Sequence, residues 1–519
     1  MLSVIALVGC TVPVQVTVLP AEDTGPTPDL LPDTEELDGP GDCTLTDDLD
    51  GVWFWEGDTV AFRLGCEEAG AEVALSMPSS PPASSFSDGV FEWETGPSDG
   101  GRHDLVFSVQ RPGAAPSTYG VTVWVADNPE LAGAQPVVAT EYTEEWGLPV
   151  FHLSAPEGLG GTYQPGTVTV DGTTLEASVK IRGASSANYP KKSYMLEFEE
   201  DELAVPGWDK TRDHLILLST FDDNSYVRQK LVYDLWAGIA AHWDADRLVP
   251  RTGFAVVYLN GVYHGLYVML DRIDNEFLRH MGLEDTGDLF KAVNHDANFY
   301  LTASNGSEKS RLSAGYEKKE GDPEDDFSSL EDLVAFTGSA SAEEIVSGMD
   351  DWLDRGEFMD WLLLVHYTLS EDSAGKNSYL YLDPERGVFR YAPWDFNHAW
   401  GQNWYTQRTS VDRINSFSGS NRVFWALHEA DSDALWARFA ELRDNGPLAL
   451  DALTSMVDGY YAEILPSAER DWDHWRSEYR SYGGWASSRD ASGNWTEFPE
   501  EQDYLYTWLE QRAALYSEF

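Results

Sequence analysis

Cysteine is scarce in this chain, with three in 519 residues, at positions 10, 43 and 66. That excludes a disulfide-stapled scaffold as the main source of stability, and two late cysteines with no histidine beside them make a poor zinc site. No apolar run reaches the roughly 18–20 residues a membrane-spanning helix needs, so a spanning segment is excluded. Positive charge is thin: 34 Lys and Arg stand against 89 Asp and Glu, a net charge of −55 at pH 7. Such a surface repels nucleic acid and anionic lipid over most of its area. The 11 histidines are scattered, without an HExxH pair. The GKS or GKT ending of a P-loop is missing, as are the HRD and DFG triplets of eukaryotic protein kinases.

Apolar and aromatic material is plentiful. Hydrophobic residues make up 42% of the chain, with 20 Trp, 24 Tyr and 22 Phe, enough for sizeable cores and too much for a chain disordered throughout. The length points to more than one domain. All ten lysines fall between Lys180 and Lys376. Either that segment handles anions, or the clustering is an accident of surface composition.

Residues 1–10 end in Leu7-Val8-Gly9-Cys10, which resembles the lipobox of bacterial lipoproteins. The resemblance implies cleavage before Cys10, its acylation, and an exported, lipid-anchored protein of the cell envelope or outer surface. The stretch lacks the basic start of a secretory signal and its apolar run is short. Residues 11–42 are rich in Pro, Asp, Glu and Thr and read as a flexible acidic linker. Residues 43–128 alternate short apolar runs with turns, among them Val60–Leu64, Val90–Glu94 and Asp104–Gln110, and read as a small β-sandwich resembling immunoglobulin-like or cadherin-like modules. Its Trp93, Phe107 and Trp124 are expected in the core. Cys43 and Cys66 flank a strand region here, and a disulfide between them is expected in an oxidising compartment.

From about 140 to 519 the periods mix, and the expectation is one large α+β unit. Val227, Leu231, Leu235 and Ile239 recur at helical spacing, and Asn260-Gly261 between two strand-like runs is a hairpin signal. Helices are expected near 273–281, 328–336, 342–352 and 357–370, strands at 378–383 and 388–391, and a largely helical tail from about 422.

Chemistry concentrates in SEDSAGKNSYLYLDPERGVFRYAPWDFNHAW. Asp372 follows an apolar helix, Asn377 opens a strand five residues later, and Asp395 closes the next strand with Asn397 two residues on. Sequential strands usually neighbour each other, which brings these side chains toward one end of a hairpin. Magnesium takes oxygen ligands, and phosphoryl transfer needs a group that orients the attacking hydroxyl. Asp395 and Asn377 suit the metal and Asp372 the hydroxyl; ordinary turn and cap residues are the plainer explanation.

Several ordered stretches carry a resemblance to the spore coat protein CotH family of atypical protein kinases. They are Lys180-Ile181-Arg182-Gly183-Ala184-Ser185-Ser186, Pro190-Lys191-Lys192-Ser193-Tyr194, LLLSTFDDNSYVRQKL, FAVVYLNGVYHGLYVML, GDLFKA at 287–292, DSAGKN at 372–377 and PWDFN at 393–397. They span about residues 145–415. The resemblance implies an atypical-kinase fold using ATP and Mg2+ or Mn2+, with Ser or Thr of partner proteins as acceptors. It implies Asp372 as the catalytic-loop residue, and Asn377 and Asp395 as metal ligands. Asn397 stands where relatives often have Asp, which weakens it as a ligand.

On the nucleotide side, Arg182 to Ser186 is a small-residue turn whose N–H groups suit phosphate, with Arg182 and Ser185 as contacts. Lys192 is favoured over Lys191 as the phosphate lysine, since alternation turns only one inward. Asp271 is its candidate acidic partner, and Lys291 a further nucleotide contact. Asp223 and Arg228 are candidates for the cleft wall, Asn224 or Ser225 for a helix cap, and His398 for packing. ATP-dependent phosphotransfer is the leading expectation. A non-catalytic structural or interaction protein of the envelope is the alternative, and a carbohydrate-binding module a third reading resting on aromatics and carboxylates alone.

Overall fold

The computed structural model describes residues 14–18, 53–66, 72–75, 81, 83–87, 89–110, 117–128, 131, 145–198, 202–485 and 498–517. The lipobox, most of the acidic linker and Cys43 lie outside the described residues. The chain divides into two compact units, Met1–Ala139 with Asp458–Pro466 and Thr140–Val457 with Ser467–Phe519.

The first unit is β-rich. Its strands are β1 (Val14–Val18), β2 (Trp53–Trp55), β3 (Thr59–Cys66), β4 (Glu72–Leu75), β5 (Ser84–Ser87), β6 (Val90–Glu94), β7 (Gly101–Gln110) and β8 (Ser117–Ala126). They form two four-stranded sheets, ordered β1-β3-β6-β5 and β2-β8-β7-β4. Alternation sends Val60, Phe62 and Leu64 of β3 and Phe91 and Trp93 of β6 inward, all at most 1% exposed. Phe62 stacks on Phe91 at 4.9 Å, and Phe107 meets both edge-on. The expected disulfide is corrected: no two cysteines lie close together among the described residues, where Cys66, ending β3, is the one cysteine. No described helix is long and apolar enough to cross a bilayer, and the expected lipid attachment at Cys10 lies outside the described residues.

The second unit opens with β9 (Val150–Ser154), β10 (Gln164–Val170), β11 (Thr173–Arg182), β12 (Ser193–Glu197), β13 (His214–Leu218), β14 (Thr252–Leu259) and β15 (Val262–Leu270). These close into a barrel in the order β10-β11-β12-β13-β15-β14-β9. Phe151, Val168, Val179, Leu196, Leu215, Leu217, Val257 and Met269 fill its interior. The period of two then puts Lys180 and Arg182 of β11 on the opposite, outer face. The hairpin β14–β15 turns at Asn260 (φ 51°) and Gly261 (φ 78°), both left-handed as a type I′ turn requires.

Helix α1 (Arg228–His242) leaves the barrel after β13 and buries Leu231, Leu235 and Ile239. Asp223 holds its start, and the Ser225 hydroxyl accepts from the Val227 N–H at 3.4 Å. The Asp223 carboxylate accepts from the Arg228 N–H at 2.9 Å and pairs with the Arg228 guanidinium at 2.7 Å. A second sheet follows, built from β16 (Leu289–Ala292), β17 (Tyr316–Glu320), β18 (Ser378–Asp383) and β19 (Val388–Pro393) in the order β17-β16-β18-β19. Helices α2 (Asn275–His280), α3 (Ser328–Ser339) and α4 (Ala342–Gly348) lie in the connections; α4 carries a capping box of Ser341 and Glu344.

Helix α5 (Arg355–Thr368) is the spine behind this sheet, buried on every side from Glu357 to Thr368. Asp354 caps its start by accepting from the Glu357 N–H at 3.0 Å. Its buried Asp360 is held by Arg247 and Arg438. Leu369, left-handed at φ 54°, ends the helix and swings the chain toward Asp372. Helices α6 (Arg422–Ala430), α7 (Ser432–Asn445), α8 (Leu450–Ser481) and α9 (Phe498–Leu515) complete the chain.

Candidate active site

A cleft of about 650 Å³ separates the outer face of β11–β13 from the second sheet. The barrel side contributes Lys180 and Arg182, adjacent on the outer face, and the turn Gly183–Ser186. Gly183 sits at φ 110°, where a Cβ would fall 2.1 Å from the Ser186 hydroxyl, so the tight turn depends on glycine. The sheet side contributes Lys291 from β16, Tyr379 from β18, and Trp394 and Asp395 just beyond β19's last cross-strand pair.

Cations and one carboxylate face each other across this space unpaired. Arg182 lies 5.4 Å and Lys291 5.0 Å from the Trp394 ring centroid, one aromatic surface serving both. Neither has an ion-pair partner among the described residues, and Lys180 has only the Tyr163 ring, at 3.9 Å. Burial, followed by the neighbouring charge of Arg182, pushes the Lys291 ammonium down to about 8. The Asp395 carboxylate also has no partner among the described residues. Its main chain is left-handed at φ 60°, with its N–H donating to the Tyr233 hydroxyl at 3.3 Å. In a chain so rich in charge, three unpaired cations and a carboxylate left apart in one cleft point to a ligand that carries both signs.

Asn377 stitches the acidic residues together. It is left-handed at φ 58°, and its amide donates to the Asp372 carboxylate at 3.3 Å and the Asp395 carbonyl at 3.4 Å. Its own side-chain oxygen accepts nothing among the described residues, which leaves an oxygen donor beside the Asp395 carboxylate. Asp372 is gripped by Lys376 at 2.5 Å and His295 at 3.1 Å. Burial alone would raise it, but these hydrogen bonds and charges win, and its carboxyl is held well below the usual range.

The remaining expected residues separate into those in the cleft and those outside it. Ser185 and Asn397 line it. The Asn397 amide, however, donates to the Asp222 carboxylate, which also receives His398 at 3.4 Å and the Tyr189 hydroxyl at 3.3 Å. Asn397 thus serves to fix Asp222. Lys191 is not a phosphate lysine. It is 1% exposed, and its ammonium is spent on Asp471 at 2.7 Å and the Leu266 carbonyl at 2.6 Å. Lys192 does not line the cleft and ties its own turn by donating to the Ala187 carbonyl at 2.9 Å. Asp271 pairs with Arg212 at 2.7 Å, so the expected lysine–aspartate pair is not formed. Asp223 lines the cleft, as expected of its wall, and pairs at the foot of α1 with Arg228, which does not line it.

Sequence reasoning overlooked Lys180, Asp222, His295 and Trp394. Lys180 carried a signal, because residues two apart on a strand share a face and Arg182 was already a candidate. Asp222 sits next to Asp223 in a run where nothing in the sequence tells one carboxylate from the other. His295 comes from the loop after β16, remote in sequence from Asp372.

A family model described as CotH kinase protein matches residues 179–516. The chain is also 27% identical over 303 residues to the inner spore coat protein H of Bacillus subtilis (strain 168), covering 58% of this chain and 80% of that protein. The matched region takes in the cleft lining from Lys180 onward and α9.

Proposed function

This chain belongs to the CotH kinase protein family, and on that premise we propose that it transfers the terminal phosphoryl group of ATP, with Mg2+ or Mn2+, to Ser or Thr hydroxyls of partner proteins. The supporting observation is the pairing of a cation cluster, Lys180, Arg182 and Lys291, with the unpaired carboxylate of Asp395 in one cleft. A metal-bound polyphosphate needs that combination: cations for its oxygens, hard oxygen donors for its metal. Asp395 and the Asn377 side-chain oxygen are the residues that would hold the metal. Bound there, it would neutralise charge on the phosphates. Lys291 and Arg182, stacked on Trp394, balance phosphate charge, and the Gly183–Ser186 turn offers N–H donors. Asp372, kept ionised by His295 and Lys376, orients the acceptor hydroxyl and takes its proton. Alignment and electrostatics are then the main sources of rate. The relative is named for a spore coat, and an exported, surface-associated site of action is proposed here by analogy.

A specific observation keeps a second reading alive: both Asp372 oxygens already have partners, as they would in a cleft retained for assembly and not for chemistry. Incubating the full chain with labelled ATP and Mg2+ or Mn2+, and locating phosphate on Ser or Thr by mass spectrometry, separates the two. Label on Ser or Thr supports the kinase. Neither transfer nor nucleotide binding under any metal supports the structural reading.

Lys291 sets a pH dependence. Its ammonium, depressed to about 8, is charged below that pH and neutral above it. Nucleotide affinity is therefore expected to hold between pH 6 and 7 and to fall by about tenfold toward pH 9. In Lys291→Arg, whose charge persists throughout, that alkaline fall disappears. Calorimetric titration with ATP across the range checks both.

A further inference from the structure

The tail helix α9, from the far end of the sequence, packs against the end of α5 and the segment that follows the cleft residue His398. Arg512 is fully buried, and no carboxylate pairs with it among the described residues. Its guanidinium donates instead to four carbonyls: Tyr367 at 3.0 Å and His366 at 2.8 Å, and Val411 at 2.6 Å and Arg413 at 2.8 Å. The first two belong to the last turn of α5, where carbonyls have no partner within the helix. A cation there is also favoured by the negative end of the helix dipole. The other two last-turn carbonyls are accounted for as well. Val365 accepts from the Leu369 N–H and the Ser370 N–H, and Thr368 accepts from the Trp400 N–H at 2.9 Å. The end of α5 is thus closed by Arg512 and by the segment that follows Asn397.

That closure joins two stretches. Asp372 lies four residues beyond the end of α5, and the segment 399–413 continues directly from Asp395 and Asn397. Other α9 side chains hold the same segment. The Tyr504 hydroxyl sits 3.0 Å from the Gly401 carbonyl and 3.2 Å from the Thr409 carbonyl. Glu501 pairs with Arg228, whose Nε reaches the Trp400 carbonyl at 3.4 Å. Across the top, Arg413 pairs with Glu371, the neighbour of Asp372, at 2.5 Å.

We propose that Arg512, supported by Tyr504, is a positioning residue that sets the Asp372 loop against the Asp395 segment, so that the acceptor hydroxyl and the phosphoryl group meet in register. This rests on the phosphotransfer reading for its kinetic consequence, but the positioning itself does not. A lysine offers a point charge in place of a planar fork and cannot serve four carbonyls on two segments at once.

The test uses the full chain carrying Arg512→Ala, Arg512→Lys or Tyr504→Phe, with amide hydrogen exchange and steady-state kinetics. In Arg512→Ala, exchange across 369–377 and 399–413 is expected to rise about tenfold or more while the barrel strands β11–β13 stay protected. The turnover rate is expected to fall about 10- to 100-fold with KM for ATP changed less than about threefold, and Arg512→Lys to recover part of it. Tyr504→Phe removes one hydroxyl and keeps the packing; it carries the test if Arg512→Ala does not fold, and is expected to loosen 399–413. Unchanged exchange at both segments, or a uniform rise through the barrel, overturns the proposal. If the wild-type chain transfers no phosphate, the reading of the reaction falls and the exchange result still decides the positioning role.

Discussion

Substituting Asp395 by alanine is expected to abolish metal-dependent ATP binding and to lower phosphoryl transfer about a thousandfold, whereas Asp372→Asn keeps binding and loses transfer. The contrast follows from what each carboxylate touches. Asp395 has a side chain with no partner among the described residues, held in a left-handed turn beside the free oxygen of Asn377. Removing it takes away a hard donor and leaves Lys291, Arg182 and Lys180 as an unbalanced cation cluster, and loss of one such electrostatic contact costs about 10²- to 10³-fold. Asp372 is bound to His295, Lys376 and Asn377. Its amide isostere fills the same space but takes up no proton, for which a loss of about 10²- to 10⁴-fold is expected, with ATP affinity within about threefold of wild type. Calorimetry and initial rates on the two variants check the split. Equal loss of binding in both would contradict the assigned roles.

The second large effect is on stability and lies outside the cleft. Asp471→Ala is expected to cost about 3–5 kcal/mol, because it strands the buried ammonium of Lys191. Asp471 accepts from Lys191 at 2.7 Å and from the Leu266 N–H at 2.7 Å. The approach is so close that a Cβ on Gly265 would fall 2.0 Å from the Asp471 carboxylate, and Gly265 sits at φ 125°. Burial, only partly offset by Asp471, already depresses the Lys191 ammonium. Urea unfolding measures the loss, and the double variant Lys191→Met/Asp471→Leu is expected to recover part of it, since an apolar pair carries no stranded charge but leaves the Leu266 N–H and carbonyl without these partners. A loss below about 1 kcal/mol for Asp471→Ala would mean that Lys191 is not committed to this pair.

Local patterns in the sequence carried the fold further than the site. The Asn260-Gly261 turn, the α1 stripe and the two strands after Asp372 follow from backbone sterics and burial period, which act over a few residues. Asp372, Asn377 and Asp395 were within reach for the same reason, being joined by one short hairpin. The choice between Lys191 and Lys192 was not. Alternation says that one of two adjacent lysines points inward, but a buried charge goes where its counter-charge is, and Asp471 is 280 residues away. Asp271 was likewise taken by Arg212. The cations that the cleft does present, Arg182 and Lys291, come from strands of different sheets, and Trp394 gathers them. Arg512 was invisible in sequence, because an arginine in a mixed helical tail gives no sign that its partners are four backbone carbonyls.

The central claim is that Lys291 and Asp395 serve one metal-bound polyphosphate. Calorimetric titration of the full chain with ATP, with and without Mg2+ or Mn2+, tests it most directly, repeated on Lys291→Met and Asp395→Ala. The account predicts tight binding by the wild type that needs the metal, a weaker interaction in Lys291→Met, and loss of the metal requirement together with most affinity in Asp395→Ala. Binding that ignores the metal, or that both substitutions leave unchanged, would contradict it.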